Sequence, residues 1–347
     1  MIGAPVPSAL SPRLAPGAFL LVDKPRGPSS HQVTAWVRDL LGIERAGHAG
    51  TLDPNVSGLL WIGVGPALKL IPLVLEFPKR YVGAMVLHGA PPPKELARVL
   101  AEFEGPIYQT PPVRSAVKRE RRVRTIHHLR LLETDGPRLL LDVTADSGTY
   151  IRSLAVDIGE ALGIGGNLVE LRRIGTGPFD ERRSITLTAL ADAVQAARAG
   201  APGTLEAALH PMEEVWEEFP RLVLKDSAAS AVAHGSNLAA GGILGAPSRA
   251  FSKDARVVLV ARSGELVATG TALFDSREFT TVRHGWVVDS DRVFADAAKF
   301  PVLWRTPRSR PRPADARGPG GAGWAGGAPL IWRRAGGGRP RLLPGSV

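Results

Sequence analysis

The sequence predicts an α+β fold: a mixed-sheet domain over residues 17–217, followed by a small β-barrel-like domain over 218–304. Short apolar runs of strand length recur between helical stretches, without the regular alternation that builds a parallel α/β sheet. After Phe219-Pro220 the texture shifts to brief β-rich segments joined by tight turns, as a small barrel requires. With 347 residues and 44% apolar composition, the chain has room for about two domains of ~150 residues, each with a real core.

Taken in order, residues 1–16 are rich in Pro, Ala and Ser and are expected to form a flexible leader. Residues 19–22 read as a short buried strand ending at Asp23-Lys24-Pro25. Ser29-Ser30 precede Val33, Trp36, Val37, Leu40 and Leu41, apolar at helical spacing, so a serine cap and an amphipathic helix follow. Gly47-His48-Ala49-Gly50-Thr51-Leu52-Asp53-Pro54-Asn55-Val56-Ser57-Gly58 holds three glycines and an Asp-Pro step, and reads as one non-repetitive loop. Strands are expected at 59–64 and 81–88, a helix at 95–103, and a hairpin of 129–132 with 139–144 around Asp135-Gly136-Pro137. A helix over 149–162 would carry Arg152 in its first turn; 168–174 leads to Gly177-Pro178-Phe179, and an Ala-rich helix spans 184–199. In the second domain, 257–261 and 266–272 flank a Ser263-Gly264 turn.

Composition excludes several classes. Cysteine is absent, which rules out disulfides and thiolate metal sites and fits an intracellular, cytoplasmic protein. The eight histidines lack zinc-ligand spacing, no Gly-Lys dipeptide offers a phosphate loop, and nothing points to a cofactor or metal. No apolar run approaches the ~18 residues of a membrane span, and the start is not a signal peptide. Of the net charge of +10, the stretch 305–347 holds +8, from nine arginines and one aspartate. That Gly/Arg/Pro-rich tail is expected to be disordered, and the charge of the body argues little by itself. Scarce Met, Asn and Gln with abundant arginine would follow equally from a hot habitat and from a GC-rich genome.

The glycine-rich loop holds one carboxylate, Asp53, and one imidazole, His48. An aspartate before proline often does no more than cap its own turn. The surrounding motifs add a second reading. The Gly47–Gly58 stretch closely resembles the active-site loop of the TruB/dyskerin family of pseudouridine synthases. Asp23-Lys24-Pro25 with Ser29-Ser30-His31 resembles the family's N-terminal motif, Lys79-Arg80-Tyr81 its aromatic motif, and Pro111-Pro112-Val113-Arg114-Ser115-Ala116-Val117-Lys118 its Pro-Pro segment. Gly148-Thr149-Tyr150-Ile151-Arg152-Ser153-Leu154 and Leu171-Arg172-Arg173 with Gly177-Pro178-Phe179 complete six motifs in family order. Lys225-Asp226-Ser227-Ala228, followed by His234-Gly235, resembles the opening of a PUA domain, and Phe300-Pro301-Val302-Leu303-Trp304 its closing segment.

The resemblance implies a pseudouridine synthase fold with a PUA domain, an isomerase that needs no cofactor, and Asp53 as catalytic carboxylate. It implies that Arg152 pairs with and aims Asp53, that Tyr81 stacks on the target base, and that His48 lies near the flipped nucleotide. Lys24 and Leu171 would line the pocket. Each has a plainer alternative: an exposed helix-terminal arginine, core packing, a loop-capping hydrogen bond, or a purely structural lysine and leucine. Lys118, Arg119, Arg121, Arg122 and Arg124 form the body's dense basic run, read as phosphate contacts rather than a solvated face. Lys225, Asp226, Ser227 and Gly235 are the RNA-binding candidates of the PUA-like part.

The short Pro91-Pro92-Pro93 link and the form Val117-Lys118-Arg119 with Arg122-Val123-Arg124 resemble the archaeal and eukaryotic members, which act in H/ACA particles. The Arg/Gly/Pro tail is unlike the Lys-rich eukaryotic extensions, so an archaeal enzyme is implied. The implied partners are an H/ACA guide RNA, ribosomal RNA with tRNA as a further substrate, and small accessory proteins, with no membrane. A stand-alone tRNA T-loop enzyme and a non-catalytic RNA-binding scaffold are the alternatives.

Overall fold

Continuous apolar runs form the first strands because both of their faces are covered. In the computed structural model, which describes residues 10–110, 120–282 and 284–300, β1 (Ala18–Lys24) and β3 (Ser57–Val64) lie side by side and antiparallel. Strand alternation sends Leu20, Val22, Leu60 and Ile62 to one face. There they meet Val33, Val37 and Leu41 of the Ser30–Leu41 helix and Leu190 and Val194 of the Leu187–Arg198 helix. Phe19, Leu21, Leu59 and Trp61 go to the other face, against Leu70, Val74 and Phe179. The amphipathic helix is capped by Ser29, whose hydroxyl accepts from the Gln32 amide.

The remaining strands of the first sheet are β2 (Ala46–Ala49), β4 (Lys79–Leu87), β5 (Gly105–Gln109), β6 (Arg122–Asp135), β7 (Arg138–Ala145), β8 (Gly166–Thr176), β9 (Phe179–Asp180), β10 (Ile185–Thr186) and β11 (His210–Pro211). Its main order is β10-β1-β3-β8-β4-β7-β6-β5, parallel only at β1–β10 and β3–β8, so the sheet is mixed as the sequence predicts. Its distal half packs Met85, Ile126, Leu141 and Val143 against the Pro93–Glu102 and Ile151–Ala161 helices. At the β3–β8 seam only Ser57 and Gly58 pair with Arg172 and Arg173. Gly58 sits at φ 102°, and a Cβ there would come within 2.2 Å of the Arg173 carbonyl oxygen, so the seam closes only on glycine.

The second sheet runs β13-β17-β16-β15-β12-β14, from β12 (Arg221–Leu224), β13 (Leu238–Ala239), β14 (Ile243–Leu244), β15 (Arg256–Val260), β16 (Leu266–Ala272) and β17 (Trp286–Val293). One face encloses the Asp226–Ala233 helix in its own core. The other contributes Val258, Val260 and Leu266 to the cluster of Phe19, Trp61 and Trp216. Arg256 seals that junction with ion pairs to Glu76 at 3.1 Å and Asp291 at 2.6 Å, and Lys69 donates to the Val293 carbonyl at 2.8 Å.

Three expectations change. The leader was expected to be flexible through residue 16, but Leu10 and Leu14 are buried with Leu205 and Leu209. Arg13 fastens this segment by donating to the Glu206 and Leu209 carbonyls at 2.9 and 2.7 Å. Burial of two leucines outweighs the Pro/Ala-rich texture. Second, Gly47 and His48 belong to β2, paired with Gly63 and Ile62, so the irregular loop is only residues 50–56. Third, the basic run from Arg122 onward is strand β6, because pairing with β5 and β7 overrides the low strand preference of a charged sequence. Residues 1–9, the Pro111–Lys118 motif, Arg119, residues 301–304 of the closing segment and the 305–347 tail lie outside the described residues. Among the described residues, no helix is long and apolar enough to cross a membrane.

Candidate active site

Asp53 stands at the crown of the 50–56 loop, at the middle of the mixed sheet. The Arg152 guanidinium donates to its Oδ2 across 99 residues of sequence. Both side chains are more than half exposed, 57% for Asp53 and 59% for Arg152. An exposed ion pair contributes at most about 1 kcal/mol to stability, so this one orients more than it stabilises. Arg152 is itself well placed. It is the second residue of the Ile151–Ala161 helix, and buried Gln109 pins the residue before that helix. The Gln109 side chain donates to the Tyr150 carbonyl at 3.1 Å and accepts from the Tyr150 amide at 2.9 Å.

Three buried cations form the floor of the loop, and each is bound to carbonyls. Lys24 has no exposed surface; its ammonium donates to Pro25 at 2.9 Å, Pro28 at 2.8 Å and Pro54 at 3.4 Å. Burial lowers its pKa from the usual lysine value, and the nearby Asp53 charge opposes that. Lys24 thus joins the Lys-Pro turn to Pro54, with its ammonium close enough to Asp53 for the two charges to interact. Arg173, also buried, donates to the Leu59 carbonyl from Nε and the Gly50 carbonyl from Nη2, both at 2.8 Å. Lys79 donates to the Val74, Leu75 and Phe77 carbonyls at 3.0, 2.9 and 2.6 Å, closing the C-terminus of the Ile71–Glu76 helix. Burial, with Arg173 nearby, lowers the Lys79 pKa to about 7.

Tyr81 is half-buried on β4 directly across from Arg173 on β8. Burial lowers the Arg173 pKa from its usual value, and the neighbouring Tyr81 opposes that shift. Leu171, two residues before Arg173 and paired with Gly83, is partly buried against the distal core. His48 sits between two threonines. The Thr34 hydroxyl donates its proton to the Ser30 carbonyl at 2.8 Å, so it accepts from His48 Nδ1 at 3.0 Å. That assigns the Nδ1–H tautomer and leaves Nε2 an acceptor toward Thr51 Oγ1 at 3.3 Å. Burial, then the neighbouring His31 and Arg173, lowers the His48 pKa to about 4, so the ring is neutral at pH 7. An open cavity of about 400 Å³ flanks it, lined by His31, Thr34, Arg38, Gly47 and Ile71.

The structure thus brings Asp53, Arg152, Tyr81, His48 and Lys24 to one loop. The candidate RNA contacts that the structure describes fall on two further parts of the fold. Arg121 lies over the Tyr108 ring at 4.3 Å, while Arg122 and Arg124 are half-buried strand residues opposite Gln109 and Ile107. Lys118 and Arg119 are outside the described residues. In the second sheet, Lys225 donates to the Gly241 carbonyl at 2.7 Å, and Asp226 and Ser227 open the Asp226–Ala233 helix. Asp226 faces Arg262 at 3.8 Å, and Gly235 follows that helix at φ 90°. Sequence reasoning gave no role to Arg173 and Lys79, although both stand inside quoted motifs. Their adjacency to Leu171 and Tyr81 was the available signal.

Comparison with known proteins identifies the family of the chain. The N-terminal domain model of the TruB family pseudouridylate synthases matches residues 38–151, the C-terminal domain model of tRNA pseudouridylate synthase B matches 152–217, and the PUA domain model matches 220–294. A probable tRNA pseudouridine synthase B of Methanothermobacter thermautotrophicus is 42% identical over 285 residues, covering 82% of this chain and 88% of that protein. Another from Pyrobaculum arsenaticum is 44% identical over 291 residues, covering 83% and 87%. Among solved structures, a chain of a Cbf5-Nop10-Gar1 complex superposes with a TM-score of 0.77 at 40% identity, covering 86% of this chain and 89% of that one. A chain of an H/ACA RNP bound to substrate RNA containing 2′-deoxyuridine gives a TM-score of 0.73 at 38% identity, covering 83% and 88%. The family models together take in residues 38–217 and 220–294, with relatives matched along most of the body, and the chain belongs to the TruB family of pseudouridine synthases.

Proposed function

We propose that this chain isomerises uridine to pseudouridine in ribosomal RNA, with tRNA as a further substrate, as the catalytic subunit of a guide-RNA-directed H/ACA particle. The observation that carries the reading is the likeness, at 40% identity and over 86% of this chain, to a chain crystallised as a Cbf5-Nop10-Gar1 complex. The PUA match and the short link between β4 and the Pro93–Glu102 helix support the same branch.

The chemistry asks for little beyond what the loop supplies. The C1′–N1 bond breaks, a C1′–C5 bond forms, C5 gives up its proton and N1 gains one. The conversion is redox-neutral and takes up no water, so it calls for no cofactor. Asp53 can serve it by bonding to C1′ as a nucleophile, or by taking the C2′ proton to give a glycal. Either way the uridine leaves its stack to meet the carboxylate. Tyr81 offers an aromatic face to the displaced base, and the neutral His48 holds Thr51, two residues before Asp53, through Nε2.

A second reading also has support, because several relatives at 42–44% identity bear the name tRNA pseudouridine synthase B. The deciding experiment assays pseudouridine formation by the purified chain on rRNA fragments and on unmodified tRNA, with and without an H/ACA guide and partner proteins. Activity on rRNA that requires guide and partners supports the guided enzyme. Guide-free activity confined to tRNA supports the stand-alone enzyme and overturns the first reading.

A further inference from the structure

Ser30 is a polar residue with no exposed surface at the first position of the Ser30–Leu41 helix. The helix does not need its hydroxyl, since Ser29 already supplies the cap. Instead, Ser30 Oγ accepts from the Leu52 amide at 2.8 Å and donates to the Leu52 carbonyl at 2.9 Å. A serine hydroxyl has one proton and two lone pairs, so it can hold both polar atoms of one residue at once. That residue is the one immediately before Asp53.

On the far side of Asp53 the chain is held as well. The Asp53 carbonyl accepts from the Val56 amide at 3.0 Å, and the Pro54 carbonyl accepts from the Gly27 amide at 2.8 Å and from Lys24 at 3.4 Å. Leu52 is buried at 3% exposure, so its side chain anchors the same point. Arg152 aims the carboxylate from outside, yet its own side chain is long and exposed. Fixing the backbone on both sides of Asp53 removes the rotations that the exposed ion pair cannot restrain.

We propose that Ser30 is a positioning residue for Asp53: by clamping the Leu52 amide and carbonyl it sets the direction in which the carboxylate meets the ribose. The proposal rests on the reading of Asp53 as the catalytic carboxylate. It gives Ser30 and Ser29, neighbours on one helix, different functional weights. Ser29 holds the helix; Ser30 holds the loop.

The test compares Ser30→Ala, Ser30→Thr and Ser29→Ala in the full chain, on an RNA that the wild type modifies, with kcat, RNA Kd and Tm measured together. Ser30→Ala is expected to lower kcat on the order of 10²-fold with RNA Kd unchanged, because an ångström of misplacement at the reacting group costs that much. Ser30→Thr, which keeps the hydroxyl, should recover most of the loss. Ser29→Ala should lower Tm yet leave kcat at the wild-type value. Wild-type kcat in Ser30→Ala, or an equal loss in Ser29→Ala, overturns the proposal. Should Ser30→Ala not fold, amide exchange in the wild-type chain decides: slow exchange at Leu52 supports the clamp and exchange at the rate of a free loop overturns it. An inactive wild type with a protected Leu52 amide would instead count against the catalytic reading alone.

Discussion

Positive charge surrounds the Asp53 loop in two ways, and the contrast separates a surface pairing from a buried support. Above the loop, Arg152 is exposed and bonds the carboxylate. Below it, Lys24, Lys79 and Arg173 are buried and bond carbonyl oxygens. A cation in the interior loses its hydration and must recover it from whatever oxygens the fold supplies; here those oxygens belong to the loop itself and to the turn, strand and helix end beside it. A cation at the surface keeps its water, so its pairing adds little stability and can be used for orientation. One set makes the loop rigid and the other aims its carboxylate.

Substitutions that break this division should have effects of different kinds. The largest is expected at the surface. Arg152→Ala should slow pseudouridine formation about 10²-fold, by loss of orientation. Its cost in unfolding free energy should stay below about 1 kcal/mol, read by urea titration. Arg173→Met should do the reverse. It strands the Leu59 and Gly50 carbonyls, at about 1–3 kcal/mol for each unpaired group, partly offset by no longer burying a cation. A net loss of about 2 kcal/mol is expected, again by urea titration, with RNA affinity unchanged. If Arg152→Ala unfolds the protein while Arg173→Met leaves it as stable as before, the division is wrong.

The smallest effect concerns pH. His48 titrates near 4 in the folded chain and near 6.5 when exposed. Between those values the unfolded chain binds a proton that the folded one refuses, so stability is full above about pH 6.5 and falls as pH drops toward 4. Allowing for its partial exposure, the loss should be about 1–2 kcal/mol. Urea midpoints at pH 4.5 and 7 measure it, and His48→Gln should flatten the difference. An unchanged slope in that variant would place the acid sensitivity elsewhere.

Much of the outer half of this site was legible in the sequence. Asp53 sits in a turn that only a loop could form, and Arg152 in a helix whose start Gly148 marks. His48 stands in the same motif as Asp53, and Tyr81 in one of its own. The inner half was not. Ser30 meets Leu52 across 22 residues, and Arg173 meets Gly50 and Leu59 across 123 and 114. No periodicity or local composition encodes such contacts, because they exist only once the helix packs beside the loop and β3 pairs with β8 at Gly58. The fold shows the same boundary. Strands β1 and β3 were evident from their apolar runs, while β6 was hidden by its arginines and the burial of Leu10 and Leu14 by the prolines around them.

The central proposal is that Asp53 is the carboxylate that performs the isomerisation. Single-turnover pseudouridine formation by the wild type and by Asp53→Asn, with RNA Kd measured on the same preparations, tests it most directly. Abolished product formation in Asp53→Asn at an unchanged Kd is the predicted result; product at the wild-type rate from that variant would contradict the claim.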